Sequence, residues 1–192
     1  MSFPVTLTLD DMNAFDTMDQ LPLRQMVLPT QAGSAGLADR QLLDGLSRPD
    51  RFRILRHGSG GQILARNGLA LAEAQVVLQH AYGSAIDFGQ PSVHRVIDHA
   101  TGTVMVPMML LHIDAPRAYR QELLQMFAQR SLKPDEIAIK RERIVVRTQS
   151  PLACLIGLER QVLEGTDGAA QILCWLSRYT PAPRAAFEEV HS

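Results

Sequence analysis

The chain has 192 residues, 46% of them hydrophobic and 20% charged, and this balance excludes global disorder. Two cysteines are too few for a disulfide framework or a four-thiolate zinc site, and each lies in an apolar string that predicts a buried thiol. The formal net charge of −1 argues against free DNA as a ligand. No apolar run reaches the ~18 residues of a membrane span and no secretory signal is seen, so a cytoplasmic protein without membrane partners is expected.

The first half of the sequence predicts one β-α-β-β-α-β unit. Its elements are a strand at residues 4–9, a long loop at 13–36, a helix at 39–46, strands at 52–57 and 62–67, a helix at 69–82 and a strand at 85–88. The long loop is predicted because its prolines, glycines and polar residues follow no sustained period. The turn Gly58–Gly61 between two apolar strings indicates a hairpin. The second helix is predicted from an apolar stripe at helical spacing: Leu71, Ala74, Val77, Leu78 and Ala81.

The second half predicts the same order again. Its elements are a strand at 104–115, a helix at 116–130, strands at 136–141 and 143–148, a helix at 151–164 and a strand at 170–179. Ser150 and Pro151 are typical of the cap and first residue of a helix. The expected fold class is therefore α+β, with two tandem ferredoxin-like (βαββαβ) domains whose antiparallel sheets carry their helices on one face. The domains are placed at residues 1–98 and 103–183, followed by a tail at 184–192.

Local motifs do not assign a catalytic, cofactor-binding or metal site. A Walker-type phosphate loop is missing, and the glycines at 58–61 lie between two strands rather than before a helix. His94, Asp98 and His99 are close in sequence, which leaves a small metal-dependent enzyme as a minor alternative. Because no known ligand spacing supports it, a structural or solvated role is expected for these residues.

Two strings in the first half carry a family resemblance. Residues 65–71 (ARNGLAL) stand where a pattern close to G-x-G-E-L-H-L is found, and residues 89–93 (GQPSV) match G-K-P-x-V at the same spacing. Residues 39–46 are similar to a helix S-R-Q-I-L-D-R-L. These strings resemble the third domain of translational GTPases such as elongation factor G and the BipA (TypA) factors.

The second half resembles the C-terminal domain of the same family. Residues 150–158 (SPLACLIGL) are similar to V-P-L-A-x-x-F-G-Y, Thr166–Gly168 to T-x-G, and residues 176–179 (LSRY) to F-S-H-Y. Four further residues stand at family positions: Pro107, Pro116, Tyr119 and Arg130. Both family domains are ferredoxin-like, and the resemblance covers about residues 37–183.

The departures from the family qualify what the resemblance implies. The nucleotide-binding domain has no counterpart here, so GTP hydrolysis, a cofactor and an enzymatic activity are not expected. Gly68 and Ala70 replace the family's Glu and His in G-E-L-H-L, and Arg178 replaces its His in F-S-H-Y. Polar positions differ while packing positions persist, which indicates a retained fold with altered ribosome contacts.

The resemblance implies binding to the ribosome near the factor site of the large subunit, in contact with ribosomal RNA or protein. Arginine and lysine against phosphates would supply such contacts. The candidates are Lys140, Arg141, Arg143, Arg147 and Arg178, together with the turn Thr166–Gly168. A solvated surface residue is the alternative for each of them.

A second hypothesis is a regulatory or protein-interaction module that has lost ribosome binding. Ferredoxin-like pairs often hold partner strands at a sheet edge, and a homodimer belongs to the same hypothesis. Residues 1–50 carry seven acids against three arginines, as a partner-binding segment would. Arginines clustered on one face would favour RNA, whereas an exposed apolar edge would favour a protein partner.

Overall fold

Two antiparallel β-sheets and a small number of helices make up the described part of the protein, an α+β architecture. The structure is a computed structural model that describes residues 18–30 and 40–182. The predicted strand at 4–9 and the tail at 184–192 lie outside the described residues. Among the described residues, no helix combines the length and the apolar character needed to cross a membrane.

The first sheet contains strands from residues 23 to 93. Its strands are β1 (Leu23–Pro29), β2 (Phe52–His57), β3 (Gly60–Ala65), β4 (Ile86–Phe88) and β5 (Ser92–Val93), and its helices are α1 (Arg40–Leu46) and α2 (Gly68–Tyr82). The strand order is β2-β3-β1-β4, and β5 also pairs with β1. Every pairing is antiparallel. The predicted helices and hairpin of this half are therefore confirmed within a few residues.

The prediction of a loop at 13–36 is wrong over β1, which lies in the middle of the first sheet. Leu23 and Val27 are buried, and Gln25 between them points to the same face. Gln25 is tolerated there because its amide donates to the Gly89 carbonyl (2.7 Å) and accepts from the Gln75 amide (2.7 Å). A polar residue at a core position conceals the strand period from a pattern based on hydrophobicity.

Helix α2 packs one face against the first sheet. Asn67 caps it by accepting a hydrogen bond from the backbone N–H of Ala70 (2.9 Å), and Gly83 ends it at a φ of +57°. Its buried residues are Ala70, Leu71, Ala74 and Leu78. The predicted stripe is thus correct at its centre and wrong at Ala81, which is exposed near the end of the helix.

The second sheet is formed by longer strands. Its strands are β6 (Val96–Ile97), β7 (Val104–Pro116), β8 (Glu136–Lys140), β9 (Arg143–Pro151) and β10 (Gln171–Pro181), and its helices are α3 (Arg120–Gln129), α4 (Leu152–Leu155) and α5 (Leu158–Gly165). The order is β10-β7-β9-β8, with β6 on β7, and every pairing is antiparallel. Alternate residues of β7, from Met109 to Ala115, are buried. These residues pack in the core, and the residues between them face the other side of the sheet.

The prediction of a single helix at 151–164 is wrong, because the helix is interrupted at Gly157. Ser150 does not cap a helix: it is a buried residue of β9 opposite Met109. Gly157 has a φ of +78°, a conformation that favours glycine and separates α4 from α5. Arg130 stabilises the break by donating to the Ile156 carbonyl (2.8 Å) and to the Gln161 side chain (3.1 Å).

The core is one continuous cluster of buried side chains from both halves. Asn67 of the first half donates to the Cys174 carbonyl of β10 (2.7 Å), and the Tyr179 hydroxyl donates to the Asp19 carbonyl (2.7 Å). Cys174 is buried as predicted, whereas Cys154 is exposed near the helix interruption at Gly157, contrary to the prediction. The two halves therefore share a packed junction.

Candidate functional site

Two of the predicted contacts, Lys140 and Arg141, lie at the tip of the β8–β9 hairpin (residues 140–143, the hairpin tip). Both side chains are exposed, and Arg141 makes the turn with a φ of +54°. The segment that follows β7 contacts the hairpin tip, because the backbone N–H of Arg117 donates to the Glu142 carbonyl (2.7 Å). Within residues 18–30 and 40–182, neither Lys140, Arg141 nor Arg117 forms an ion pair.

Arg143 and Arg147 belong to the open face of the second sheet, but each already has an acid partner. Arg143 donates to the Asp114 carboxylate (2.5 Å) and to the Asp114 carbonyl (3.0 Å). Arg147 donates to the Glu136 carboxylate (2.8 Å) and to Nδ1 of His112 (3.0 Å). Their charge is therefore partly compensated, which reduces their value as contacts for a phosphate.

The turn Thr166–Gly168 lies at the same end of the sheet as the hairpin tip, because α5 ends there and β10 begins. Thr166 is fully buried, and its hydroxyl donates to the Val162 carbonyl (2.7 Å), so its side chain holds the helix end rather than facing a partner. Asp167 and Gly168 are exposed. The Asp167 carboxylate accepts from the Tyr119 hydroxyl (3.2 Å), a bond that raises the pKa of that phenol.

Arg178 is exposed but lies far from the hairpin tip. It pairs with Met108 of β7, whereas Arg143 pairs with Pro116, eight residues further along that strand. This separation corresponds to about 26 Å along the sheet. The predicted contacts therefore do not form one cluster: Lys140 and Arg141 lie at one end with the turn 166–168, and Arg178 lies near the other.

Sequence reasoning missed a buried carboxylate at the junction between the halves. Glu159 of α5 reaches the first turn of α2, where it accepts a hydrogen bond from the Leu69 N–H (3.1 Å). Burial raises the pKa of Glu159 to about 7 although the N–H groups of Gly68 and Leu69 act to lower it. A Cβ at position 68 would collide with the Glu159 carboxylate, so the glycine there makes room for it.

Sequence reasoning also missed a cavity of about 630 Å³ on the first sheet. Its lining includes Arg24, His94, Arg95 and one acid, Asp19, among the residues that the structure describes. Arg24 donates to the Leu21 and Met18 carbonyls, and His94 lies 2.9 Å from the Asp19 carboxylate. Arg24 and His94 are therefore already engaged, and their contacts hold the chain before β1 in place. Arg24 belongs to β1, which was predicted to be part of a loop, so the sequence did not indicate this cavity or the contacts of Arg24.

The metal alternative receives no support from the part of the chain that is described: no three His, Cys, Asp or Glu side chains there come together as a metal site would need. What the described surface offers instead is exposed cations at the hairpin tip, which are suited to non-covalent contacts. No family model matches this chain, and no curated protein matches it.

Proposed function

We propose that the chain is a ribosome-associated module built from two tandem ferredoxin-like domains, related to the C-terminal half of translational GTPases of the elongation factor G and BipA type. The repeated strand order supports this proposal. With the two-residue strands β5 and β6 set aside, each half has four strands, of which the first lies between the third and the fourth and the second lies outside the third. This order is compatible with a split β-α-β pair, the fold that the family resemblance implies for both halves.

The exposed cations of the hairpin tip carry the functional part of the proposal. Lys140 and Arg141 lie at one end of the second sheet, and the backbone of the exposed Arg117 is hydrogen-bonded to Glu142 of the same hairpin. An RNA phosphate placed there would gain charge-assisted hydrogen bonds without first displacing a carboxylate. Such contacts position a protein on RNA without reading its sequence. The chain would need no nucleotide hydrolysis of its own for this role.

The test is co-sedimentation of the chain with bacterial ribosomes in a salt titration, with elongation factor G as competitor. We expect saturable binding that weakens steeply with salt and yields to the competitor, because counterions leave the phosphates on binding. Arg141→Ala should weaken binding by roughly 3- to 10-fold and lower the salt slope by about one. Arg56→Ala, an exposed arginine in the first sheet, is the matched control and should bind as the unmodified chain does.

The absence of pelleting at low salt would contradict ribosome association. An equal loss of ribosome affinity in Arg141→Ala and Arg56→Ala would contradict the proposal that the hairpin tip is the contact, because a general reduction in positive charge would then explain both losses. Circular dichroism and thermal unfolding of the two variants would show whether each keeps the fold. Both positions are exposed, so stability changes below about 0.5 kcal/mol are expected.

A protein-interaction module is the second candidate, and one apolar surface favours it. Leu173 and Trp175 of β10 are 60% and 37% exposed on the open face of the second sheet. They line a cavity of about 280 Å³ with Arg51 and Arg66 of the first half. Aromatic side chains beside arginines are typical anchors of protein interfaces.

The same sedimentation assay separates the two candidates, because a module that has lost ribosome binding does not pellet with ribosomes. Where the chain does pellet, Trp175→Ala distinguishes a contact with RNA from a contact with a ribosomal protein. If RNA phosphates provide the contact, this variant should keep the salt-sensitive binding of the unmodified chain. If a ribosomal protein is the partner, binding should persist at high salt and fall by more than 10-fold in the variant. Leu42→Ala, an exposed apolar residue of α1, is the control for a general loss of apolar surface.

A further inference from the structure

Among the described strands, the outer edge of β8 is an unpaired strand edge that exposes two isoleucines. Within the described part of the chain, β8 pairs with β9 on one side only, so its other side presents unpaired backbone groups. Ile137 and Ile139 are 45% and 41% exposed at this edge. An exposed edge strand with two apolar side chains is a template for pairing with another strand.

The charges of this strand complement those of an identical strand running in the opposite direction. The sequence Glu136-Ile137-Ala138-Ile139-Lys140 is symmetric about Ala138 apart from the sign of its end charges. In antiparallel self-pairing centred on Ala138, each Glu136 would face Lys140 of the second copy, and each Ile137 would face Ile139. Opposite charges and apolar residues placed directly across two strands stabilise the pair.

Other arrangements of the two strands lose this match. Parallel pairing would place Glu136 beside Glu136 and Lys140 beside Lys140, which is destabilising. A shift of two residues would leave a charge opposite Ala138, and a shift of one residue would move the isoleucines to opposite faces. Direction and register are therefore both specified by the side chains of β8.

Lys140 also forms no ion pair with an acid of its own chain among the described residues. Its cross-strand neighbour is Arg143, a like charge, and Arg143 is already bound to Asp114. Glu136 of a second copy would supply the missing carboxylate. That glutamate would then lie between Arg147 of its own chain, which it contacts at 2.8 Å, and Lys140 of the other copy.

We propose that the chain forms a symmetric homodimer through antiparallel pairing of β8 with β8 of a second copy, which joins the two second sheets into one. The inference does not rest on RNA binding, because the edge of β8 and its charges carry it by themselves. Lys140 belongs to both surfaces, whereas Arg141 and Arg117 lie outside the paired segment. Because a single five-residue strand pair buries far less than the ~1,200 Å² of a standard interface, the dissociation constant should be on the order of 10–100 µM.

The test is sedimentation velocity of the chain without RNA, from roughly 1 µM to roughly 500 µM. The unmodified chain should change from monomer to dimer over this range. Glu136→Lys and Lys140→Glu, each alone, should weaken association more than 10-fold, because like charges then face each other across the interface. Glu122→Lys on α3, an exposed position, is the control and should dimerise like the unmodified chain.

Mixing the two charge variants gives the decisive result. One carries lysine at both positions and the other glutamate at both, so an equimolar mixture should form a heterodimer although neither variant dimerises by itself. Recovery in the mixture would also show that both variants are folded. A monomer at every concentration of the unmodified chain would overturn the proposal. A mixture that stays monomeric while the unmodified chain dimerises would overturn this pairing.

Discussion

Glu159→Gln is expected to remove most of the pH dependence of folding stability between pH 4.5 and 8. Burial raises the pKa of Glu159 from 4.5 to about 7, so the folded protein holds a proton that the unfolded chain releases. The stability that protonated Glu159 contributes is therefore fully present below pH 4.5, and it is lost as the pH rises through 7. A shift of this size corresponds to about 3 kcal/mol of unfolding free energy.

The measurement is urea unfolding of both proteins at several pH values, compared as a difference so that other titrating groups cancel. The free energy of the glutamine variant relative to the unmodified protein should rise by about 3 kcal/mol from pH 4.5 to pH 8. Glu164→Gln is the matched control on the same helix, because Glu164 is exposed and pairs only with Arg160. Parallel pH profiles for Glu159→Gln and the unmodified protein would contradict the buried carboxylate at the junction.

Gly60→Ala is expected to destabilise the protein by about 3 kcal/mol, because the first sheet has no room for a side chain there. A Cβ at this position would collide with the backbone carbonyl of Val27 and lie 3.2 Å from Cδ of Pro29. The neighbouring strand cannot move away without breaking the pairing of β1 with β3. The loss should appear as a lower urea midpoint with an unchanged slope.

Gly45→Ala is the matched control for this prediction. Gly45 lies in α1 with nothing near the position of its Cβ, so alanine should stabilise the protein by roughly 0.5–1 kcal/mol through helix propensity. Changes of opposite sign in the unfolding free energy of the two variants would distinguish steric exclusion at Gly60 from the backbone-entropy effect at Gly45. A loss below 1 kcal/mol for Gly60→Ala would show that β1 does not approach β3 as described.

The fold was predictable wherever apolar periods and turn residues agreed with each other. The stripe around Leu71 and Leu78, with Gly83 after it, predicts α2 within one residue of its ends. β1 was missed because Gln25 occupies a core position and depends on Gly89 and Gln75 for its hydrogen bonds. Neither partner is near it in the sequence. The break at Gly157 was likewise hidden by apolar residues on both sides.

The candidate site was less predictable because its charges are set by strand register. Arg143 and Asp114 are 29 residues apart, so no local spacing shows that this arginine is already paired. The same holds for Glu159 and Leu69, 90 residues apart in different halves. The exposure of Lys140 and Arg141, by contrast, follows directly from their position in a tight turn.

The central position of β1 has a consequence for how the protein is made. Its partners in β3, β4 and β5 all come later in the chain, the last of them at Val93. At synthesis rates of about 5–20 residues per second, the first sheet cannot close until roughly 3–13 s after Pro29 has been added. During that time the nascent chain exposes Leu23 and Val27, so a chaperone that shields early apolar segments would increase the yield of folded protein.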